Sequence, residues 1–479
     1  MEPTSEQWDI IRAEPEARGT LLVSAFAGTG KTATLRMFAK RRPKSRILYL
    51  AFNRAIAREA NRTFGDMPWV EARTIHSLAF AAEGGRFQDR LGHLRVYDLR
   101  DMNIASNLSR ARQVLDAFHK YLSSSARDFE ELSYNVANRA ERSRLLKALS
   151  KLWERTTDPR GRATVPHDVY LKLFHLNGAG LPYDYILVDE AQDLTDCLID
   201  IVCRQPAKKV FVGDSHQQIY GWKGAVDSLR KLRGSARHLY LTQSFRCPET
   251  AARKANQYLW LLGSPKPFRG LSRPRVTNRQ HAYIARTNAL VLDVAANLDL
   301  KRNRVHFLGG FDSYNFQAIV DARKLLDRSG DKLRDPFMRR FSSAEEFVMY
   351  VDEANELDLK TRLEIAKKHA QAEEIYRMLR ANCVSRQQDA DIVVTTAHKA
   401  KGQEFESVEV MGDFLDLGEC LRQVASGGRV RVPREELNLL YVALTRTQNR
   451  LNLNSRYILD RDMLDRISKM IQAGRIELY

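Results

Sequence analysis

Short apolar runs closed by small or polar residues alternate with longer stretches whose apolar positions recur every three or four residues, which predicts strands separated by helices. LLVSAF, RILYLAF at 46–52 and VEARTIH at 70–76 set up the βαβ rhythm of a parallel sheet. From about 81 to 178 the rhythm changes to helical periodicity, as in LSRARQVLDAFHKYL and RSRLLKALSKLWERT, and predicts a helical insertion. Strands return with YDYILVDE, KKVFVGD at 208–214 and HLYLTQSFR at 238–246. The prolines and glycine of SPKPFRG at 264–270 predict a linker, after which HAYIARTNALV at 281–291 opens a second strand-rich unit. Amphipathic turns fill roughly 312–385, and ADIVVTTAH, SVEVMGDF and NRLNLN complete the second sheet. The glycine-rich ASGGRVRVP at 425–433 is expected to be an exposed loop.

The fold class expected is therefore α/β, with two parallel-sheet units each interrupted by a mainly helical insertion. In numbers, 1–80 and 179–263 flank an insertion at 81–178, while 264–310 and 387–479 flank a reduced one at 311–386.

A chain of 479 residues is too long for one ordinary core. Its net charge of +18, spread along the sequence, favours a polyanionic partner, nucleic acid first. No apolar stretch approaches the ~20 residues that span a bilayer, and the polar, acidic start is unlike a signal peptide. A cytoplasmic protein with no membrane partner is expected, nucleoid-associated or nuclear according to its host. The five cysteines form no CxxC pair, so neither structural zinc nor a disulfide framework is expected.

SAFAGTGKTAT, following an apolar run, reads as strand, phosphate-gripping loop and helix start. The amides of Ala27, Gly28, Thr29, Gly30, Lys31 and Thr32 are expected to cradle a triphosphate at the helix N-terminus. Lys31 would neutralise the β and γ phosphates, and the Thr32 hydroxyl would hold Mg²⁺. Ala25 stands where the GxxxxGK[ST] pattern begins with Gly. In YILVDEAQD at 185–193 an apolar strand ends in two carboxylates, with Asp189 the expected metal-side acid and Glu190 the expected general base. ATP and Mg²⁺ are the cofactors these motifs call for.

Taken in order from SEQ at 5–7 to YVALTRT at 441–447, the motifs resemble those of superfamily 1 DNA helicases of the UvrD/Rep/PcrA type. The wording is especially similar to the helicase portion of the F-box DNA helicases. That resemblance implies two RecA-like domains and an ATP-driven motor on single-stranded DNA, 3′ to 5′, engaging single/double-strand junctions. It implies that Gln7 reads the adenine edge, Phe245 stacks on the base, and Glu404 lies near the ribose. Gln217 would contact the γ-phosphate and attacking water, and Arg246 and Arg446 would bring positive charge to the γ-phosphate. On the DNA side it implies Phe52, Asn53, Thr74, His76, Tyr220, Trp222, Lys223, Asn288 and His398. Tyr220 and Trp222 follow Gln217 within one short segment, so a base stacked there would be linked mechanically to the phosphate state. Core burial is the competing reading for each aromatic, and a hydrogen-bonded structural histidine for His76 and His398.

The chain departs from the family where Ser215 and His216 replace acidic residues, where Gln403 replaces an apolar one, and in its shorter second insertion. Neither an F-box before the motifs nor a nuclease after them is expected. Two rival functions remain: a DNA-sensing ATPase subunit that licenses a separate nuclease or effector, and a translocase that strips recombinase filaments.

Overall fold

The computed structural model describes residues 2–221, 224–272, 280–300, 302–329, 332–354 and 357–479. Strand runs with no polar alternation are what a parallel sheet covered on both faces demands. The central strands of the first sheet fit this, while its edge strands carry Glu71, Arg73, Arg237 and His238; the six are β1 (Thr20–Ala25), β2 (Ile47–Leu50), β3 (Val70–Arg73), β4 (Tyr185–Val188), β5 (Lys208–Gly213) and β6 (Arg237–Leu241). All neighbours are parallel, in the order β3-β2-β4-β5-β1-β6, and every residue of β2 and β4 is buried.

The chain groups into two compact units, Met1–Phe26 with Gly30–Leu241, and Ala27–Thr29 with Thr242–Tyr479. In the second unit β7 (Gln243–Ser244) pairs with β8 (Arg269–Gly270). The larger sheet there has the order β10-β11-β9-β12-β14, all parallel. Its strands are β9 (His281–Ala285), β10 (Val305–Phe307), β11 (Ile392–Thr396), β12 (Phe405–Val410) and β14 (Thr447–Leu453), while β13 (Val430–Val432) pairs with β15 (Ile476–Leu478).

Four sequence expectations are corrected here, each for a local reason. The run 70–76 stops being a strand at Arg73 because the Thr74 hydroxyl accepts the Ser77 N–H at 3.1 Å and starts the helix Ile75–Ala79. Likewise 281–291 breaks at Thr287, whose hydroxyl accepts the Leu290 N–H at 3.3 Å and caps the helix Asn288–Ala296. The stretch 264–270 is no bare linker: Phe268 is buried, its N–H donating to Asn256 Oδ1 at 2.8 Å, and Arg269–Gly270 is the strand β8. The glycine-rich 425–433 ends in β13 rather than remaining a loop.

The first insertion carries the long helices Leu108–Ser123, Arg139–Thr157 and His167–Asn177. Ala111, Val114, Leu115, Phe118, Tyr121 and Leu122 form the buried stripe of the first of these, at the spacing of a helix face. In the second insertion the helices are Phe316–Leu326, Ala344–Ala354, Leu357–Lys368 and Ala372–Asn382. All five cysteines are free thiols. Among the described residues no helix is long and apolar enough to cross a membrane.

Candidate nucleotide and strand sites

Because β4, β5 and β1 are neighbours, their carboxyl ends deliver three segments to one edge of the first sheet. β1 leads into the loop before the helix Lys31–Lys40, β4 into Asp189–Glu190, and β5 into the turn Ser215–Gln217. Lys31 Nζ lies 2.8 Å from Glu190 Oε1. Burial would lower the Lys31 pKa, but the Glu190 and Asp189 carboxylates outweigh it and the ammonium is held above its ordinary value. The Asp189 pKa is raised as well: burial, then the neighbouring Glu190 charge, push it up against the pull of Lys31.

The Tyr49 hydroxyl donates to Asp189 Oδ2 and lies close to the Thr32 side chain, so one phenol neighbours both groups expected to hold Mg²⁺. Burial and then the Asp189 charge push the Tyr49 pKa well up, which keeps it a donor. A hydroxyl and one carboxylate suit Mg²⁺, which keeps several waters and takes few protein ligands. No group of three or more His, Cys, Asp and Glu arranged for a metal occurs among the described residues.

Gln192, fully buried, ties the second segment to the third. Its Nε2 donates to Glu190 Oε2 at 2.6 Å, and its Oε1 accepts the Asp214 N–H at 2.9 Å. Asp214 Oδ2 in turn accepts from Gln217 Nε2 at 2.7 Å. Only glycine fits beside this amide at 213, since a Cβ there would lie 2.3 Å from Gln192 Oε1. Glu190 itself has φ +50, a left-handed conformation that a non-glycine residue adopts under strain. His216 stacks on Phe26 with ring centroids 6.1 Å apart.

Gln7 is buried beside the same helix. Its Nε2 donates to Thr34 Oγ1 at 3.2 Å, and its Oε1 accepts the Thr4 N–H at 3.0 Å in a capping box.

The second unit holds the other expected nucleotide residues. The Phe245 N–H donates to the Gly28 carbonyl at 2.9 Å, and a Cβ on Gly28, whose φ is +70, would lie 2.4 Å from Arg246 Cβ. Arg246 Nε pairs with Glu404 Oε2 at 2.7 Å. Arg446, only 1% exposed, donates from Nε to the Val442 carbonyl at 2.9 Å, from Nη1 to the Gln403 carbonyl at 3.3 Å, and from Nη2 to Thr445 Oγ1 at 3.0 Å. Gln403 therefore contributes its backbone, a role for which side-chain polarity is immaterial. The Tyr441 hydroxyl accepts the Ala27 N–H at 3.4 Å.

Among the expected DNA residues, Phe52 and Tyr220 are brought together: their rings stack at 5.8 Å and 11°, each half-buried. Asn53 caps the helix Arg54–Thr63 by accepting the Ile56 N–H at 2.9 Å, and Thr74 is a cap as well. His76 Nε2 lies 3.1 Å from Asp168 Oδ1. Asn288 begins its helix, and His398 lies on the short helix Ala397–Ala400, both half-buried. Trp222 and Lys223 lie outside the described residues.

Sequence reasoning missed Tyr49 and Gln192. Tyr49 reads as one more core residue of an apolar strand, whereas Gln192 had a usable signal, a polar residue two places past the acid pair and inside a buried run.

A phosphate loop beside an Asp-Glu strand end on a parallel sheet defines the P-loop nucleoside triphosphatases. Residues 7–223 match the family model of the AAA domain, and residues 312–456 that of the UvrD-like helicase C-terminal domain. The chain is 31% identical to F-box DNA helicase protein 1 of Schizosaccharomyces pombe, over 94% of its own length and 57% of that protein. It is 30% identical to F-box DNA helicase 1 of Gallus gallus, over 93% and 48%. A probable DNA helicase of Mycoplasma pneumoniae is 26% identical over 57% and 43%. The chain spans about half the length of the curated relatives it matches. It belongs to the UvrD-like superfamily 1 helicases, and its two parallel sheets are the RecA-like domains expected of them.

Proposed function

We propose that the chain is an ATP-dependent motor that moves along single-stranded DNA, 3′ to 5′, and separates duplex strands ahead of it. The observation that carries this reading is the Lys31–Glu190 ion pair at 2.8 Å, with Glu190 held through Gln192 to Asp214 and Gln217. A triphosphate in the loop competes for Lys31, and as the ammonium turns to phosphate oxygens Glu190 loses its counter-ion and is released to take a proton from the attacking water. Gln217 moves with that change because Asp214 and Gln192 join it to Glu190. Thr32 and Asp189 would hold Mg²⁺, with the Tyr49 hydroxyl hydrogen-bonded to Asp189, and the ion would supply Lewis-acid stabilisation of phosphate charge. Arg246 and Arg446 add positive charge to the γ-phosphate; Arg246 gives up Glu404 to do so.

Phe52 and Tyr220 offer aromatic faces to a base, and Tyr220 lies three residues beyond Gln217, which supports a link between strand grip and phosphate state. His76, Asn288, His398, Trp222 and Lys223 complete the proposed strand contacts. The relatives' names speak of DNA helicases, and DNA is the polyanion proposed here for a chain of charge +18.

The test is ATPase activity with and without single-stranded DNA, beside strand separation on 3′-tailed, 5′-tailed and blunt duplexes. Stimulated turnover with unwinding of the 3′-tailed duplex is expected. Stimulation without unwinding of any substrate would favour the sensing ATPase instead.

A further inference from the structure

In the second helical insertion the loop after Phe316–Leu326 is built at evident expense. Asp321, fully buried, accepts the backbone N–H groups of both Arg334 and Asp335 at 2.6 Å and the Gln317 amide at 2.9 Å. Asp335 Oδ1 then accepts the N–H groups of Phe337 at 2.9 Å and Met338 at 3.0 Å, and Arg339 donates back to the carbonyls of Leu333 at 2.9 Å and Arg334 at 3.0 Å. A buried carboxylate saturated with N–H donors fixes a backbone firmly.

What this loop presents is a cavity of about 450 Å³ lined by Lys324, Lys332, Arg334, Arg339 and Arg377, with Glu373 the one carboxylate. Glu373 is engaged at 3.3 Å by Lys324 and at 3.0 Å by Arg377. Among the described residues no carboxylate pairs with Lys332 or with the Arg334 guanidinium. Like charges drawn into one concavity repel each other and destabilise the fold that holds them. A backbone pinned to hold these cations together, two of them without a carboxylate partner among the described residues, is explained by an anion that completes the arrangement.

We propose that this cavity is a binding site for a compact, multiply charged phosphate ligand, a terminal phosphate or a short polyphosphate chain, clasped by Arg334 and Arg377 in bidentate fashion and by Lys324 and Lys332 as point charges. Its concave form and the convergence of cations from three segments favour a compact anion over the evenly spaced phosphates of a duplex, which ask for an extended stripe. The site is separate from the nucleotide loop, and the proposal rests on the nucleotide assignment only for the choice of a background variant.

Calorimetric titration of the full chain with tripolyphosphate in metal-free buffer tests it. Wild type is expected to bind at two sites and Lys31→Ala at one. In the Lys31→Ala background, Lys332→Glu with Arg334→Glu is expected to weaken the remaining site by roughly tenfold or more. Both exchanged side chains are exposed, so melting temperature should be unchanged in Lys332→Glu/Arg334→Glu, and so should DNA-independent ATPase when that pair is made in the wild-type chain. A second arm compares 5′-phosphorylated and 5′-hydroxyl single strands of one sequence. A preference for the phosphorylated end that the double variant abolishes identifies a DNA terminus as the source, and tripolyphosphate binding without such a preference identifies a free polyphosphate. Tripolyphosphate binding in Lys31→Ala that is absent, or unmoved by the double variant, overturns the proposal. So does equal weakening of both strands without any tripolyphosphate site, which would make the cavity a general DNA surface.

Discussion

Lys31 and Glu190 neutralise each other across 2.8 Å, so removing either leaves a charge with less compensation. Lys31→Ala is expected to abolish ATP hydrolysis, since the loop loses its side-chain charge on the phosphates; undiminished DNA-stimulated turnover would contradict the assignment. Glu190→Gln keeps a hydrogen-bonding partner for Gln192 and leaves Thr32 and Asp189 in place. It should bind ATP and Mg²⁺ near normally while turning over about 10² to 10⁴ times more slowly, as single-turnover assays beside nucleotide titration will read. Gln192→Ala strips buried partners from Glu190 and from the Asp214 N–H. A loss of about 1–3 kcal/mol in unfolding free energy is expected, with a fall in kcat that persists at temperatures where the variant is fully folded. If turnover per folded molecule is normal, the amide is only structural. The acid pair and the phosphate loop were legible because their chemistry is written in consecutive residues. Tyr49 and Gln192 were not, because what distinguishes them is the atom their side chains reach, which periodicity does not encode.

At the scale of elements, the alternation of apolar runs with helical periodicity exposed both sheets, most plainly at central strands such as β2, β4 and β11 that are buried throughout. Ends were harder. Thr74 and Thr287 turn strands into helices through single side-chain hydrogen bonds, inside stretches whose apolar content runs on unbroken. Strand β10 escaped notice because three residues, Val305–Phe307, are too few to establish a period. The packing of the first sheet also sets a pH response. Glu14 receives hydrogen bonds from Lys208, Tyr185 and Arg42, and although burial opposes them they bring its pKa down from 4.5 to about 2. A folded-state pKa below the unfolded one means stability that is present above about pH 4.5 and is lost as pH falls toward 2. Glu14→Gln should therefore flatten the acid limb of the melting-temperature profile across that window and leave the neutral region less affected. An unchanged acid limb would show that the cluster contributes nothing to folding.

For the whole molecule, the two arginines assigned to the γ-phosphate should fail differently. Among the described residues the Arg246 guanidinium pairs with Glu404 alone, so Arg246→Ala is expected to spare the fold and lower turnover by roughly 10³ to 10⁵. Arg446→Ala should lower turnover too, but also the melting temperature, because a buried guanidinium that satisfies the Val442 and Gln403 carbonyls disappears with it. Unchanged turnover in both would remove them from the reaction. The Phe52–Tyr220 stack has its own consequence for the proposed motor. Each ring already has a partner, so an incoming base competes with an intramolecular ligand: the strand gains about 1–3 kcal/mol of stacking per base but displaces a ring pair worth about 0.5–1.5 kcal/mol. At this proposed contact, grip would be a difference between two similar quantities, weak enough for the strand to be let go at every step of the proposed movement.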